Sequence, residues 1–345
     1  MTSSPETTKK ILAQALAAHR GGALADAELG YRTILATEPH HGDALHLLGA
    51  LAVQAGRADQ GIALIRRALL ARPDNGPAHR NLANALLGDG DAEGALRSYE
   101  AACVLEPAGA AAHHGRANAL AALGRDDAAI AAQVEAIRCA PDHRDAWYNL
   151  GLSLLRTTRH DEAMTSFDRA LELGGDPAAR ANCHVNRAAA LRGLGRLEDA
   201  LVACDAVLGI LPGHGAALRN KAMLLDELGR YDACVAACTA ALAAEPGHAE
   251  TMHRRGTALS RLRRHEEAAD ALREAIAAEP GSARYRNNAG LVLRELGRHK
   301  EALACFDAAR VIDPGCADIH HGRGLSLHDL GRPREAVESY DAAIA

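Results

Sequence analysis

The chain has 345 residues, a formal net charge of -5 and interspersed acidic and basic side chains, so it carries no electrostatic footprint for a nucleic acid. No apolar run is long enough to span a bilayer, because Gly, His or Arg interrupts each one, and the expected setting is cytoplasmic with no membrane partner. Hydrophobic residues make up 48% but aromatics only 3%, so a core has to be built from Ala and Leu filling the small gaps between helices.

Residues Met1 to Thr7 are polar, contain Pro5 and are expected to form a disordered tail ahead of an ordered array over 8–345. Within the array, Pro39, Pro73, Pro107 and Pro141 stand 34 residues apart, as do Pro212, Pro246, Pro280 and Pro314. The two series are 71 residues apart, which is two periods and three residues more, so the repeat runs through the middle of the chain with a short insertion. If the proline is counted as position 32, position 15 is Gly22, Gly56, Gly90, Gly124, Gly195, Gly229, Gly297 and Gly331, failing only at Thr158 and Arg263. A tight turn between helices wants a residue that tolerates positive φ there. Position 20 is small throughout: Ala27, Gly61, Ala95, Ala129, Ala163, Ala200, Cys234, Ala268, Ala302 and Ala336, as two closely crossing helices require.

The unit itself is clearest from Arg144 to Gly175. Trp147, Leu150, Gly151 and Leu154 share one face of a first helix; Ala163, Phe167 and Ala170 share one face of a second. Ten such hairpins are predicted, at about 8–41, 42–75, 76–109, 110–143, 144–180, 181–214, 215–248, 249–282, 283–316 and 317–345. At these positions the sequence resembles the tetratricopeptide repeat family. The resemblance implies an all-α fold, a right-handed superhelical solenoid of about ten helix-turn-helix repeats whose leading helices line a concave inner wall.

Local departures follow in chain order. Repeat one is atypical but keeps Gly22, Ala27, Tyr31 and Ile34, and its run Ile11 to Ala18 is read as a first helix, not a leader segment. The residues after each proline restart a helix, as in Pro73-Asp74-Asn75, where a polar side chain can cap the new amide donors, and in repeat three the cluster Gly88, Gly90 and Gly94 belongs to the interhelix turn, since no strand precedes it. At the insertion, Asp176 suits an N-cap and Pro177 a first helical position, so the next helix should start almost a turn early. Stacking is expected to continue there, with a hinge at Gly174 and Gly175 as the alternative. The last repeat stops inside its second helix, which predicts either a C-terminal continuation or self-association at its apolar end.

Signs of chemistry are absent. There is no nucleophile elbow, zinc-protease or phosphate-loop motif, so neither catalysis nor a cofactor is expected. The eight cysteines include no C-x-x-C pair; Cys204, Cys234 and Cys238 fall on core positions, although Cys234 and Cys238, a turn apart, would also suit a soft metal. The position-4 histidines His79, His113, His184 and His320 should pack as Trp147 does, while His46, His114, His253 and His321 at position 5 should face the groove.

The informative polar pattern is at position 6 of the first helix, held by Asn81, Asn149, Asn186, Asn220 and Asn288. Stacked leading helices would turn these into an interrupted ladder, and an amide that donates and accepts can satisfy the backbone of an extended peptide without reading its sequence. Asn84 and Asn118 at position 9 widen the strip, and Arg80, Arg219, Arg254 and Arg284 add positive points for acidic side chains. The competing reading is that Asn merely follows the repeat consensus. A carboxylate clamp of the kind found in some family members is not supported, since Gly115 and Asp145 stand where Asn and a basic residue are wanted. The ladder also resembles the repeat arm of protein O-GlcNAc transferases, which implies a second reading, a substrate-recruiting arm without its catalytic domain. The leading expectation is a scaffold that binds a protein or peptide.

Overall fold

The structure, a computed structural model, describes residues 5–344; among these it contains twenty α-helices and no strand. The chain divides into two compact units, Met1–Gly174 and Gly175–Ala345, at the point where the sequence carries its three-residue insertion.

The first unit comprises α1 (Pro5–Arg20), α2 (Leu24–Thr37), α3 (Gly42–Gln54), α4 (Ala58–Ala71), α5 (Gly76–Gly88), α6 (Ala92–Leu105), α7 (Ala110–Ala122), α8 (Asp126–Cys139), α9 (Arg144–Arg156) and α10 (His160–Glu172). Odd-numbered helices lead each hairpin and even-numbered helices close it. Helix α1 begins three residues before the predicted start, so Pro5 to Thr7 are helical instead of tail; the remaining tail residues lie outside the described part. Proline is tolerated in a first turn, where its missing N–H has no partner to lose, and Glu6 sits at the positive end of the helix. Thr8 then anchors the turn by donating to Glu38 at 2.6 Å.

Each hairpin is set by a few recurring local devices. Leading helices are capped: Asn75 Oδ1 accepts from the Ala78 amide at 3.0 Å, and His41 and His143 do the same through Nδ1 for Ala44 and Ala146 at 3.2 Å. The position-4 side chain returns to the loop before it, with Trp147 Nε1 donating to the Pro141 carbonyl at 2.9 Å and His79 and His113 Nε2 donating to Pro73 and Pro107 at 2.9 Å. These histidines are packing residues, as expected. All eight glycines at position 15 have positive φ, and Thr158 (φ 58) and Arg263 (φ 64) adopt the same left-handed turn at a cost of about 1 kcal/mol each. The crossing positions are closed, with Ala95, Ala129 and Ala163 fully buried, and at Gly151 a β-carbon would come within 2.6 Å of the Phe167 ring. Burying a ring such as Phe167 contributes about 1.5–3 kcal/mol.

Within this unit each leading helix touches the next leading helix, whereas no closing helix touches another closing helix. Stacking is therefore tighter on the leading side, which makes α1, α3, α5, α7 and α9 the inner wall.

The second unit repeats the plan with α11 (Pro177–Gly193), α12 (Leu197–Ile210), α13 (Gly215–Glu227), α14 (Tyr231–Ala244), α15 (Ala249–Arg261), α16 (His265–Ala278), α17 (Ala283–Glu295), α18 (His299–Ile312), α19 (Ala317–Asp329) and α20 (Pro333–Ile344). Its leading helices touch in succession in the same way. Helix α11 has 17 residues where α13 has 13, because Asp176 caps it early, its Oδ1 accepting from the Ala179 amide at 2.8 Å. The insertion is thus spent on one extra turn, preceded by Gly174 and Gly175, both at positive φ. Cys204, Cys234 and Cys238 are fully buried core side chains; desolvation pushes the Cys204 thiol up to about 11, far from a thiolate at neutral pH. Among the described residues no group of three or more His, Cys, Asp or Glu side chains could hold a metal ion, and no helix is long and apolar enough to cross a membrane.

Candidate functional site

In the first unit the inner wall carries Arg80, Asn81 and Asn84 on α5, Asn118 on α7 and Asn149 on α9. Asn81 is half-buried, with its Nδ2 2.8 Å from Nε2 of His46 on α3. An amide nitrogen can only donate, so the imidazole accepts at Nε2 and keeps its proton on Nδ1. His46 is 6% exposed, and desolvation lowers its pKa below the ordinary value. The expectation that position-5 histidines face the groove is therefore corrected for His46: the asparagine of the next repeat covers it.

A larger polar cluster joins α7, α8 and α9. Asn149 Nδ2 donates to Asn118 Oδ1 at 2.8 Å, and Asn118 Nδ2 lies 3.2 Å from His114 Nε2. His114 Nδ1 lies 3.0 Å from Oε1 of the buried Gln133, whose amide nitrogen turns back to Asn118 Oδ1 at 3.3 Å. Every member has a partner, as a polar cluster in a small core requires. Asn84, in contrast, is exposed, and accepts at 2.5 Å from the hydroxyl of Tyr99, whose pKa burial pushes up to about 12. The ladder is broken at Gly115 because the Tyr99 ring occupies the space: a β-carbon there would lie 2.2 Å from it.

In the second unit Asn186, Asn220 and Asn288 lie on α11, α13 and α17. Asn288 repeats the arrangement of Asn81, with Nδ2 2.7 Å from Nε2 of His253. His253 is 5% exposed and stacks on Tyr285 with ring centroids 4.7 Å apart; burial foremost, then Arg284, pushes its pKa down to about 4. His253 is thus the second position-5 histidine found under an asparagine. Asn186 donates to the Asn182 carbonyl at 3.0 Å. Asn220 is half-buried and its amide makes no hydrogen bond; Val185, not histidine, stands at position 5 of the repeat before it. The predicted ladder is therefore two sets of asparagines, one in each unit.

The four arginines predicted as free positive points all have an acidic neighbour. Arg80 lies 3.7 Å from Glu106, Arg254 lies 3.0 Å from Asp226, Arg219 bonds Glu245, and Arg284 bonds Glu250 while lying over the Tyr285 ring. Their charge is compensated within the wall. These acids, and the histidines beneath the asparagines, were missed in the sequence although a signal was present. His46 to Asn81 and His253 to Asn288 each span 35 residues, one more than the period. Arg80 to Glu106 and Arg219 to Glu245 each span 26, from position 5 to the residue before the proline.

The consequence for Asn81, Asn149 and Asn288 is the same. Each is anchored through Nδ2, while its Oδ1 has no partner within the protein and is not buried. The wall therefore presents oriented hydrogen-bond acceptors.

Profiles described as tetratricopeptide repeat match residues 80–143, 134–181, 253–317 and 302–345, with further matches over 18–86 and 217–248. Among solved structures, the chain is similar to a tetratricopeptide repeat protein from Parabacteroides merdae ATCC 43184, at 18% identity over 73% of this chain and 99% of that one, with a TM-score of 0.53. It is also similar to pilF of Pseudomonas aeruginosa, at 15% identity over 61% of this chain and 95% of that one, with a TM-score of 0.55. Likeness at these identities is likeness of fold. No curated protein matches the chain.

Proposed function

Because this chain belongs to the tetratricopeptide repeat family, a fold typical of protein-interaction scaffolds, we propose that its leading-helix walls bind an extended segment of another polypeptide and that it carries out no chemistry itself. The observation that supports this most directly is the anchoring of Asn81, Asn149 and Asn288 through nitrogen. A side chain already fixed by an internal hydrogen bond loses little further freedom on binding, so its Oδ1 can accept a peptide N–H at low entropic cost. Backbone N–H groups belong to every sequence, which suits tolerant recognition. Asn84, Asn118, Asn186 and Asn220 extend the same strips. Arg80, Arg219, Arg254 and Arg284 act by holding Glu106, Glu245, Asp226 and Glu250 in place, and an acidic ligand would have to displace those partners.

The test is selection from a displayed library of unstructured peptides on the full chain, followed by fluorescence anisotropy of the selected peptides. A double variant, Asn149→Ala with Asn220→Ala, should bind about tenfold more weakly, the equivalent of ~1.4 kcal/mol, with unchanged helicity. Asn118 keeps its bonds to Gln133 and His114 in that variant, and Asn220 has none to lose, so the fold is not at stake. Unaltered affinity would remove the asparagines from the binding surface.

A further inference from the structure

The clefts between successive leading helices of the second unit differ in a way the repeat period does not dictate. Between α11 and α13, the cleft beside Asn220 is small, roughly 70 Å³, and is lined by Ala188, Ala189 and Arg192, the last bonded to Glu227 at 2.7 Å. Between α15 and α17, where the α16 turn closes one end, the corresponding cleft beside Asn288 opens to roughly 530 Å³. Its polar lining includes Ser260, Arg261, Arg263, Asn288, Arg294 and Glu295, with Thr257 and His265 beside them, over a floor that includes the fully buried Leu272.

The charges around this cavity do not cancel. Three guanidinium groups face one carboxylate among the lining residues. Arg294 is held by Asp329 at 3.1 Å and Arg263 lies 3.8 Å from Glu295, but Arg261 has neither an ion pair nor a hydrogen bond among the described residues. Gly193 stands at the corresponding place in α11. Arg263, also in the lining, occupies the left-handed turn position that is glycine in eight of the ten repeats. Beside these cations lie the Ser260 hydroxyl, with no hydrogen bond of its own, and the anchored amide of Asn288.

We infer that this cavity is the subsite that takes an anionic side chain, a carboxylate or a phosphate ester, from the segment bound along the wall. The inference rests on the proposed function and adds to it a chemical preference at one place. Arg261 supplies the uncompensated charge in a fork that matches either oxyanion, and Ser260 supplies a neutral donor.

The test uses the full chain and peptides selected on it. Replacing the acidic residue of a selected peptide by its amide, Glu by Gln or Asp by Asn, should weaken binding to the unaltered protein about tenfold. Arg261→Gln should abolish most of that difference, and Arg261→Lys should keep part of it; Arg261 is exposed and unpaired, so neither variant threatens folding. A phosphoserine peptide that binds more tightly than its Glu counterpart assigns the subsite to phosphate, and the reverse order assigns it to carboxylate. Selected peptides without an acidic position, or an equal loss on the unaltered and Arg261→Gln proteins, would overturn the subsite and leave the proposed function standing. Selection of no peptide at all would overturn both.

Discussion

Asn288 donates its side-chain amide to Nε2 of His253 across 2.7 Å and 35 residues of sequence, which fixes both the orientation of the amide and the tautomer of a nearly inaccessible imidazole. Protonating that imidazole would set an N–H against the amide nitrogen and put a charge in a desolvated site beside Arg284 and Arg254, with Glu250 as the one compensating acid. The relationship makes the wall sensitive to acid.

Stability should fall as the pH is lowered from about 6.5 to about 4. The folded-state pKa of His253 lies at about 4 against an ordinary value of 6.5, so between these values the unfolded chain binds more protons and stability rises with pH. The contribution is fully present above pH 6.5 and is lost on descending through the window, amounting to about 3 kcal/mol for this residue. His46 and His114 shift in the same direction. Urea denaturation at pH 7 and pH 4.5 should show the loss, and His253→Gln should make it smaller; an equal loss in the variant would exclude His253 as its source.

Asn288→Ala should cost about 1–3 kcal/mol, because it strands a buried acceptor on His253. Asn220→Ala, which breaks no hydrogen bond, should stay within about 0.5 kcal/mol of the parent. Chemical denaturation of the two variants side by side tests whether the asparagines differ in structural weight as their partners imply.

Gly115→Asn would complete the ladder in repeat four, yet it should destabilise by about 1–3 kcal/mol, since the new β-carbon would meet the Tyr99 ring at 2.2 Å. Ala163→Leu should cost a similar 1–3 kcal/mol, roughly, by overfilling the crossing of α9 and α10, where Ala163 is fully buried. Thermal melts at parental temperatures would contradict both packing assignments.

At the left-handed turn, Gly124→Ala should lower stability by about 1 kcal/mol and Thr158→Gly should raise it by roughly 0.5 kcal/mol, the strain relieved at Thr158 being partly offset by glycine's larger entropy loss on folding. The opposite signs, read from urea midpoints, are the discriminating feature.

The sequence by itself determined the hairpins. The 34-residue proline period, the glycine turn, the small crossing residue and the early start of α11 at Asp176 and Pro177 all express backbone preferences acting over a few residues, and such preferences can be read in order along a chain. The partner relations at spacings of 35 and 26 residues were written there too, but nothing local distinguishes a histidine that will lie under an asparagine from one that faces solvent. Tertiary structure alone decided which polar groups are consumed by neighbours and which stay available: the arginines chosen as open charges meet acids from their own or adjoining hairpins, while Arg261, which no pattern singled out, is left unpaired at a cavity. A repeat period specifies the geometry of each unit, whereas hydrogen-bond and charge partners depend on the side chain that the next unit brings opposite, and that contact exists only once the hairpins have stacked.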